Sequence, residues 1–356
     1  MTVFSIRRLL QLLPACLILI NSQAIAQGKQ SQTDTPALEQ VSVLFATVRN
    51  RNSNTDGEAF GGQRGPGITG LCVMEYEPIW GMDKIADSLP FYVPEERIHL
   101  AGVKEMPAAQ FWEDVTVSNG QNKGNIVVYV HGYNIGFEKS CRRASIFQRN
   151  LNLHDRLILF SWPADGNVLN YTLDEADLTW SIYPLEQLLS KLVRRFGAGR
   201  IDVVGHSLGG RGVVNALSRM ARHGPAPLIN ELVLIAPDMD SEIFGQLLPE
   251  IRPLIRRITL YASENDHALR LSREVHGYPR LGEGGELLSV FPGMETIDIS
   301  GLRTRVPSGH IYHLFNPKVG NDIMRLLDEG TPAAERPGLV SDEKNGIEFW
   351  RMKASQ

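Results

Sequence analysis

Cysteine is scarce in this chain of 356 residues. It has three, Cys16, Cys72 and Cys141, too few for a disulfide-built scaffold, so a hydrophobic core has to supply the stability. Charge of one sign is also thin. Lys and Arg number 36 against 40 Asp and Glu, net −4, and no basic cluster occurs; nucleic acid is therefore not an expected partner. Metal-ligand spacing is missing too: His310 and His313 are three apart, but no third and fourth ligand stands at a diagnostic distance. There is no internal repeat. The long apolar run is confined to the N-terminus, Leu9 to Ile20, where Gln11 and Pro14 interrupt it; it is too short for a comfortable membrane span, so the mature chain is expected to carry none.

What is present begins with an export signal over residues 1–26. Arg7 and Arg8 supply the positive start, the apolar run follows, and Ala24-Ile25-Ala26 forms a small-x-small cleavage site. Losing Arg7 and Arg8 with it would take the net charge from −4 to −6. A lipid-attachment reading of Leu13-Pro14-Ala15-Cys16, which would leave the protein lipid-anchored, is disfavoured by the proline and by the apolar residues continuing past the cysteine. The expected location is periplasmic or secreted. Residues 27–39 are polar and read as a flexible leader. Cys72 and Cys141 would then meet an oxidising compartment, but Cys141 shares a helical face with Phe137, Ala144 and Leu151, which favours two buried thiols over a disulfide.

Hydrophobic content of 43% with 21% charge is that of a soluble globular chain, and residues 40–352 are read as one domain. Val41 to Val48 is a first strand, Asn50 to Gly67 a long Gly- and Asn-rich loop, Gly70 to Tyr76 a second strand, and 78–121 a mixed connection with a short strand at Ile98 to Val103. From Asn125 the rhythm is regular. Apolar strands at 126–130, 156–161, 201–204, 231–235, 257–262 and 296–300 alternate with helical patterns near 136–151, 174–196, 208–222, 241–250, 266–273 and 319–328. Such alternation predicts an α/β fold, a doubly wound, mostly parallel sheet with helices on both faces and extra N-terminal strands. Sites in such sheets form outside the carboxyl ends of the strands.

The chemistry-bearing residues fall at those ends. Gly205-His206-Ser207-Leu208-Gly209 follows the β-branched strand Ile201 to Val204 and precedes a helix, the pattern of a nucleophile elbow that lifts a serine hydroxyl above the sheet. The flanking glycines allow close approach around a strained serine. His131-Gly132-Tyr133-Asn134 ends an earlier strand; its amides, Tyr133 first, are candidates to complete an oxyanion hole with the amide of Leu208. Asp266, beyond strand 257–262, is either the acid that orients a histidine or the N-cap of the next helix; Asp238 and Asp240 are rival acids. His310 is the expected base, freed to turn by Gly309, whereas His313 opens an apolar run and is expected to pack. His206 is expected to point down from the elbow. Trp162, Tyr171 and Trp180 are candidate pocket aromatics, with ordinary core as the alternative.

These segments, together with Ser161-Trp162-Pro163, Ala236-Pro237-Asp238-Met239-Asp240 and Tyr261-Ala262-Ser263, resemble the α/β-hydrolase superfamily, and within it bacterial α/β-hydrolase-like domains of unassigned function. The resemblance covers roughly residues 41–350. It implies Ser207, Asp266 and His310 as a triad acting on a carboxylic ester or related acyl bond of a small-molecule or lipid-like substrate, with no metal or organic cofactor. A thioesterase, lipase or amidase would use the same parts. The alternative from another class is a catalytically silent binding module that retains the fold. A dehalogenase or epoxide hydrolase would need a carboxylate where Ser207 stands.

Overall fold

Val127, Val128, Tyr129 and Val130 are successive residues with no polar face between them. The computed structural model shows why. It describes residues 38–354 apart from 53–57, 78–90, 92, 122–123, 154–155, 168–169, 223–227 and 304–306; the export signal and all but the end of the leader lie outside the described residues. Its central strands are buried on both faces, so alternate side chains enter two separate cores. Val128 and Val130 join Val203, Leu232 and Leu217 on one side, while Val127 and Tyr129 join Val204, Val233 and Phe147 on the other.

The strands are β1 (Glu39–Arg51), β2 (Phe60–Tyr76), β3 (Ile98–Met106), β4 (Ile126–Val130), β5 (Leu157–Ser161), β6 (Ile201–His206), β7 (Ile229–Ile235), β8 (Ile255–Ala262), β9 (Glu295–Asp298), β10 (Leu339–Lys344) and β11 (Ile347–Met352). They form one sheet in the order β10-β11-β9-β8-β7-β6-β4-β5-β1-β2-β3. The pairs from β1 through β11 are parallel, and only the two margins, β1-β2-β3 and β10-β11, are antiparallel. The helices are α1 (Ala108–Gln121), α2 (Phe137–Asn150), α3 (Tyr171–Phe196), α4 (Leu208–Ala221), α5 (Ser241–Ile251), α6 (His267–His276), the single turn α7 (Tyr312–Phe315) and α8 (Pro317–Glu329). Leu178 of α3, Leu217 of α4 and Phe244 of α5 pack on one face; Phe147 of α2 and Ile323 of α8 pack on the other. The doubly wound sheet with extra N-terminal strands is therefore as expected. Among the described residues no helix is long and apolar enough to cross a membrane.

Two expectations are corrected, the loop over 50–67 and the unpaired cysteines, and two elements are added, a helix in the 78–121 connection and a C-terminal hairpin. The loop over 50–67 is largely strand, since β2 begins at Phe60. Its glycines serve close approach: a Cβ on Gly65 would stand 2.7 Å from the Asn50 nitrogen and one on Gly61 2.6 Å from Asn52 Oδ1, beside two breaks in the β1-β2 register. The connection over 78–121 contains α1, anchored by buried Phe111, Trp112 and Val115. The C-terminal hairpin β10-β11 turns at Asn345-Gly346, both at positive φ, as a tight hairpin turn requires. Finally, Cys72 and Cys141 form a disulfide, their Cα atoms 6.4 Å apart. The face that buries Cys141 among apolar neighbours is the one that meets β2, so burial and pairing are compatible.

Candidate active site

The elbow forms where β6 runs directly into α4. Ser207 sits at φ 54 and ψ −128, in a region that costs a non-glycine residue about 1–3 kcal/mol, and its amide is fixed to the Ile235 carbonyl at 3.0 Å. The glycines are needed for contact. A Cβ on Gly205 would lie 2.6 Å from the Gly210 Cα, and one on Gly209 would collide with the carbonyl oxygens of Val130 and His131. Gly132 belongs to the same set: its Cβ would stand 2.7 Å from the Ser207 Cβ. The loop after β4 can therefore lie against the serine only because residue 132 has no side chain.

Asp266 meets both expectations placed on it. Its Oδ1 accepts from the Leu269 amide at 3.0 Å, capping α6, and its Oδ2 lies 2.7 Å from His310 Nδ1. A carboxylate accepts only, so the pair fixes the proton on Nδ1 and leaves Nε2 as the basic nitrogen. Burial pulls the His310 pKa down, but the charge and hydrogen bond of Asp266 outweigh it and hold the ring above its ordinary value. Gly309, at φ 63, makes the approach: a Cβ there would strike the Asn265 carbonyl oxygen. Asp238 and Asp240 are engaged elsewhere. Asp238 accepts from Tyr171 Oη at 2.7 Å, Ser272 Oγ at 2.6 Å and Arg280 Nε at 2.7 Å, and Asp240 caps α5 through the Glu242 and Ile243 amides.

The other two histidines of the region are structural supports. His206 turns down from the elbow and its Nε2 donates to the His310 carbonyl at 3.1 Å. His313 is fully buried in α7, 4.6 Å from the His206 ring between centroids and 3.2 Å from Tyr129 Oη. Burial pushes both well below the ordinary histidine value, so both are neutral.

Two buried charges hold the loop after β4. Arg49, fully buried at the end of β1, donates from Nε to Ser161 Oγ at 2.9 Å. Its Nη1 reaches the Gly61 and Ala164 carbonyls (3.1 and 2.7 Å), and its Nη2 reaches His131 Nε2 and the Ile135 carbonyl (3.4 and 2.6 Å). These contacts match the five donors of a guanidinium. Burial lowers the Arg49 pKa to about 10, partly offset by Glu58, Asp174, Asp165 and Asp177, so it stays charged at neutral pH. His131 is neutral through burial and the nearby Arg49 charge; its Nδ1 donates to the Gly132 carbonyl at 2.8 Å. Asp174 accepts from the Asn134 and Asp165 amides, both at 3.0 Å, while burial pushes its pKa up to about 6. The Asn134 amide is thus committed away from the serine, which leaves Tyr133 as the candidate donor from this loop, beside Leu208 at the start of α4.

A cavity of about 300 Å³ opens over Ser207 and His310, walled by Tyr133, Tyr171, Asp238 and one face of α6. Of the three aromatics expected to roof it, Tyr171 does so. Trp162 does not: it is fully buried, stacked on His131 with centroids 5.2 Å apart and donating from Nε1 to the His131 carbonyl at 2.7 Å. Trp180 does not either; it lies 37% exposed under the Arg64 guanidinium. Two turns of helix separate it from the cavity-lining residues at the start of α3. Arg49 and Asp174 were not singled out from the sequence as supports. An arginine directly after the apolar run Val41 to Val48 was the available sign.

Comparison with known proteins fits this arrangement. Residues 108–327 match the family described as alpha/beta hydrolase of unknown function (DUF900). An uncharacterized protein of Nostoc sp. is 22% identical over 42% of this chain and 54% of its own length; the chain thus spans about half of that relative. Among solved structures, a protein described as a cell surface hydrolase of Lactobacillus plantarum is 15% identical, covering 58% of this chain and 90% of its own, at a TM-score of 0.33. The acylaminoacyl peptidase of Pyrococcus horikoshii is 10% identical, covering 83% and 42%, at 0.34. With the family match extending over more than half of its length, from α1 to α8, the chain belongs to the alpha/beta hydrolases of this family of unknown function.

Proposed function

We propose that the protein is a serine hydrolase that cleaves a carboxylic ester or related acyl bond through an acyl-enzyme. Ser207 Oγ attacks the acyl carbon while His310 Nε2 takes its proton, and Asp266 holds the Nδ1–H and stabilises the imidazolium. The amides of Leu208 and Tyr133 bind the oxyanion. The proton passes from His310 to the leaving alkoxide. Water, deprotonated in turn by His310, then releases the acid and returns Ser207. No step calls on a metal or organic cofactor.

The observation that carries this reading is the 2.7 Å contact of Asp266 with His310, where His310 shares one cavity with a serine in the left-handed region. An export signal over residues 1–26, expected from the sequence, would put the activity in the periplasm or outside the cell, and the Cys72–Cys141 disulfide suits an oxidising compartment. The test is labelling by a fluorophosphonate probe alongside turnover of p-nitrophenyl acetate. Wild type should label at Ser207 and hydrolyse the ester; Ser207→Ala should do neither, at unchanged melting temperature. Absence of both in folded wild-type protein would leave the silent binding module in its place.

A further inference from the structure

We infer that the acyl group taken by this site is an unbranched aliphatic chain of about eight carbons, laid along α6. The inference rests on the hydrolase reading above and names its substrate. The cavity that holds Ser207 and His310 is lined by Ala268, Leu269, Leu271, Ser272, Val275 and His276. These positions recur at three- and four-residue spacing, so they form one face of α6. The helix starts beside the site, because Asp266, which holds His310, is its N-cap. The face therefore makes a wall that begins at the reacting centre and runs outward.

The helix sets its length. From Ala268 to His276 the wall extends for eight residue steps, about 12 Å at 1.5 Å per residue. An extended chain advances about 1.2 Å per bond, from roughly 3.6 Å for every three backbone bonds, so about ten bonds span it, and part of that span belongs to the ester itself.

Chemistry sets the character. Apart from the exposed Thr172, the polar side chains of the wall outside the reacting pair are already engaged within the protein. Asp238 is satisfied by Tyr171, Ser272 and Arg280. His276 has Nδ1 on the Ser272 carbonyl at 2.7 Å and Nε2 at 3.4 Å from Glu175. A sugar or charged acyl group would lose its water and find little beyond the Thr172 hydroxyl in exchange. A methylene chain loses nothing and meets Leu271, Val275 and the rings of Tyr133 and Tyr171. Leu271 and Val275 are 62% and 68% exposed without substrate, which is apolar surface for a chain to cover.

The experiment is kcat/KM on p-nitrophenyl esters from acetate to palmitate, below their critical micelle concentrations, for wild type, Leu271→Asn and Val275→Asn. Both substitutions fall at exposed helical positions, so folding should survive, and melting temperature checks it. We expect kcat/KM to rise about two- to four-fold per methylene, to peak near octanoate and to fall by palmitate. The octanoate-to-acetate ratio should drop at least five-fold in each variant. A maximum at acetate, a rise continuing to palmitate, or a ratio unmoved in both variants overturns the inference; if Ser207 still labels with fluorophosphonate, the hydrolase reading survives that result. Loss of labelling and of all turnover in wild type overturns both.

Discussion

At the carboxyl ends of the strands, Asp266, Asp174 and Arg49 direct their polar atoms at named partners: both oxygens of each carboxylate and all three nitrogens of the guanidinium are bonded. At the opposite ends, Asp202 and Glu231 are equally buried and far less well served. Asp202 Oδ1 collects the Asn125 and Asn230 side chains and the Glu231 amide, while its Oδ2 and Glu231 Oε2 have no hydrogen-bond partner. Arg257 stands 3.6 Å from Glu231 and 3.8 Å from Glu295, without a hydrogen bond to either. Burial pushes Asp202 up to about 6 and Glu231 to about 8. Among these carboxylates the larger perturbation thus lies away from the serine and its cavity. A displaced pKa reports desolvation; orientation toward a nucleophile marks a site.

Three substitutions sharpen this contrast. The largest effect is expected from Asp266→Asn, which keeps an oxygen to cap α6 but no longer dictates the His310 tautomer. Turnover should fall about 10³- to 10⁴-fold with little change in melting temperature. The residual activity should show its acid limb at lower pH, because burial, no longer opposed by the carboxylate, lowers the His310 pKa. An acid limb that stays in place would detach Asp266 from His310. As a companion, His310→Ala should be as inactive as Ser207→Ala, whereas His313→Ala should retain turnover and lose stability.

Next is Arg49→Lys. An ammonium offers three donors where five are used, so buried carbonyls lose partners at a cost of about 1–3 kcal/mol each. The Ile135 and Ala164 carbonyls tie Arg49 to the loops that follow β4 and β5. The expected result is a lower melting temperature and a kcat reduced about ten-fold or more with KM nearly unchanged. A fall in stability alone would make Arg49 a core residue with no bearing on the loop.

The smallest is Glu231→Gln. In the unfolded chain this group ionises near 4.5 and in the folded one near 8, so the folded state binds more protons between those values and stability declines as pH rises through the interval. Glutamine removes that decline. Urea unfolding should find the variant more stable by about 2 kcal/mol at pH 8.5, after allowance for solvation and for Arg257. It should match wild type at pH 4.5, with ester turnover unaltered. Equal stability at both pH values would mean that the carboxylate is better solvated than its burial implies.

The parallel part of the sheet was legible because strands buried on both faces write apolar runs, and the boundaries at 126–130 coincide. The elbow, the oriented aspartate and the turned histidine were legible for a related reason: each needs a glycine or a strand tip at a fixed place. What escaped was written more weakly. The glycines of β2 look like loop residues until a second strand lies against them. Asn345-Gly346 was a readable hairpin signal, set among charged residues that gave no apolar alternation. Asp174 could not be assigned its role from order along the chain, since its partner Asn134 is 40 residues away. Trp162 misled because an aromatic at a strand end fills a core as readily as it roofs a pocket.

The stretch shared with the family opens at residue 108, after β1, β2 and β3, yet Arg49 and the Cys72–Cys141 bridge reach across that boundary into α2 and the loop before it. The bridge closes a separation of 69 residues, worth about 4 kcal/mol on a chain-entropy estimate. Trimming the protein to its recognisable portion would strip the neighbour from one edge of β5, leave Ile135 and Ala164 carbonyls in a dry interior without a donor, and cut the crosslink. The leading strands are therefore not an appendage that a truncation, domain graft or circular permutation can discard; the smallest portable unit of this fold starts at β1.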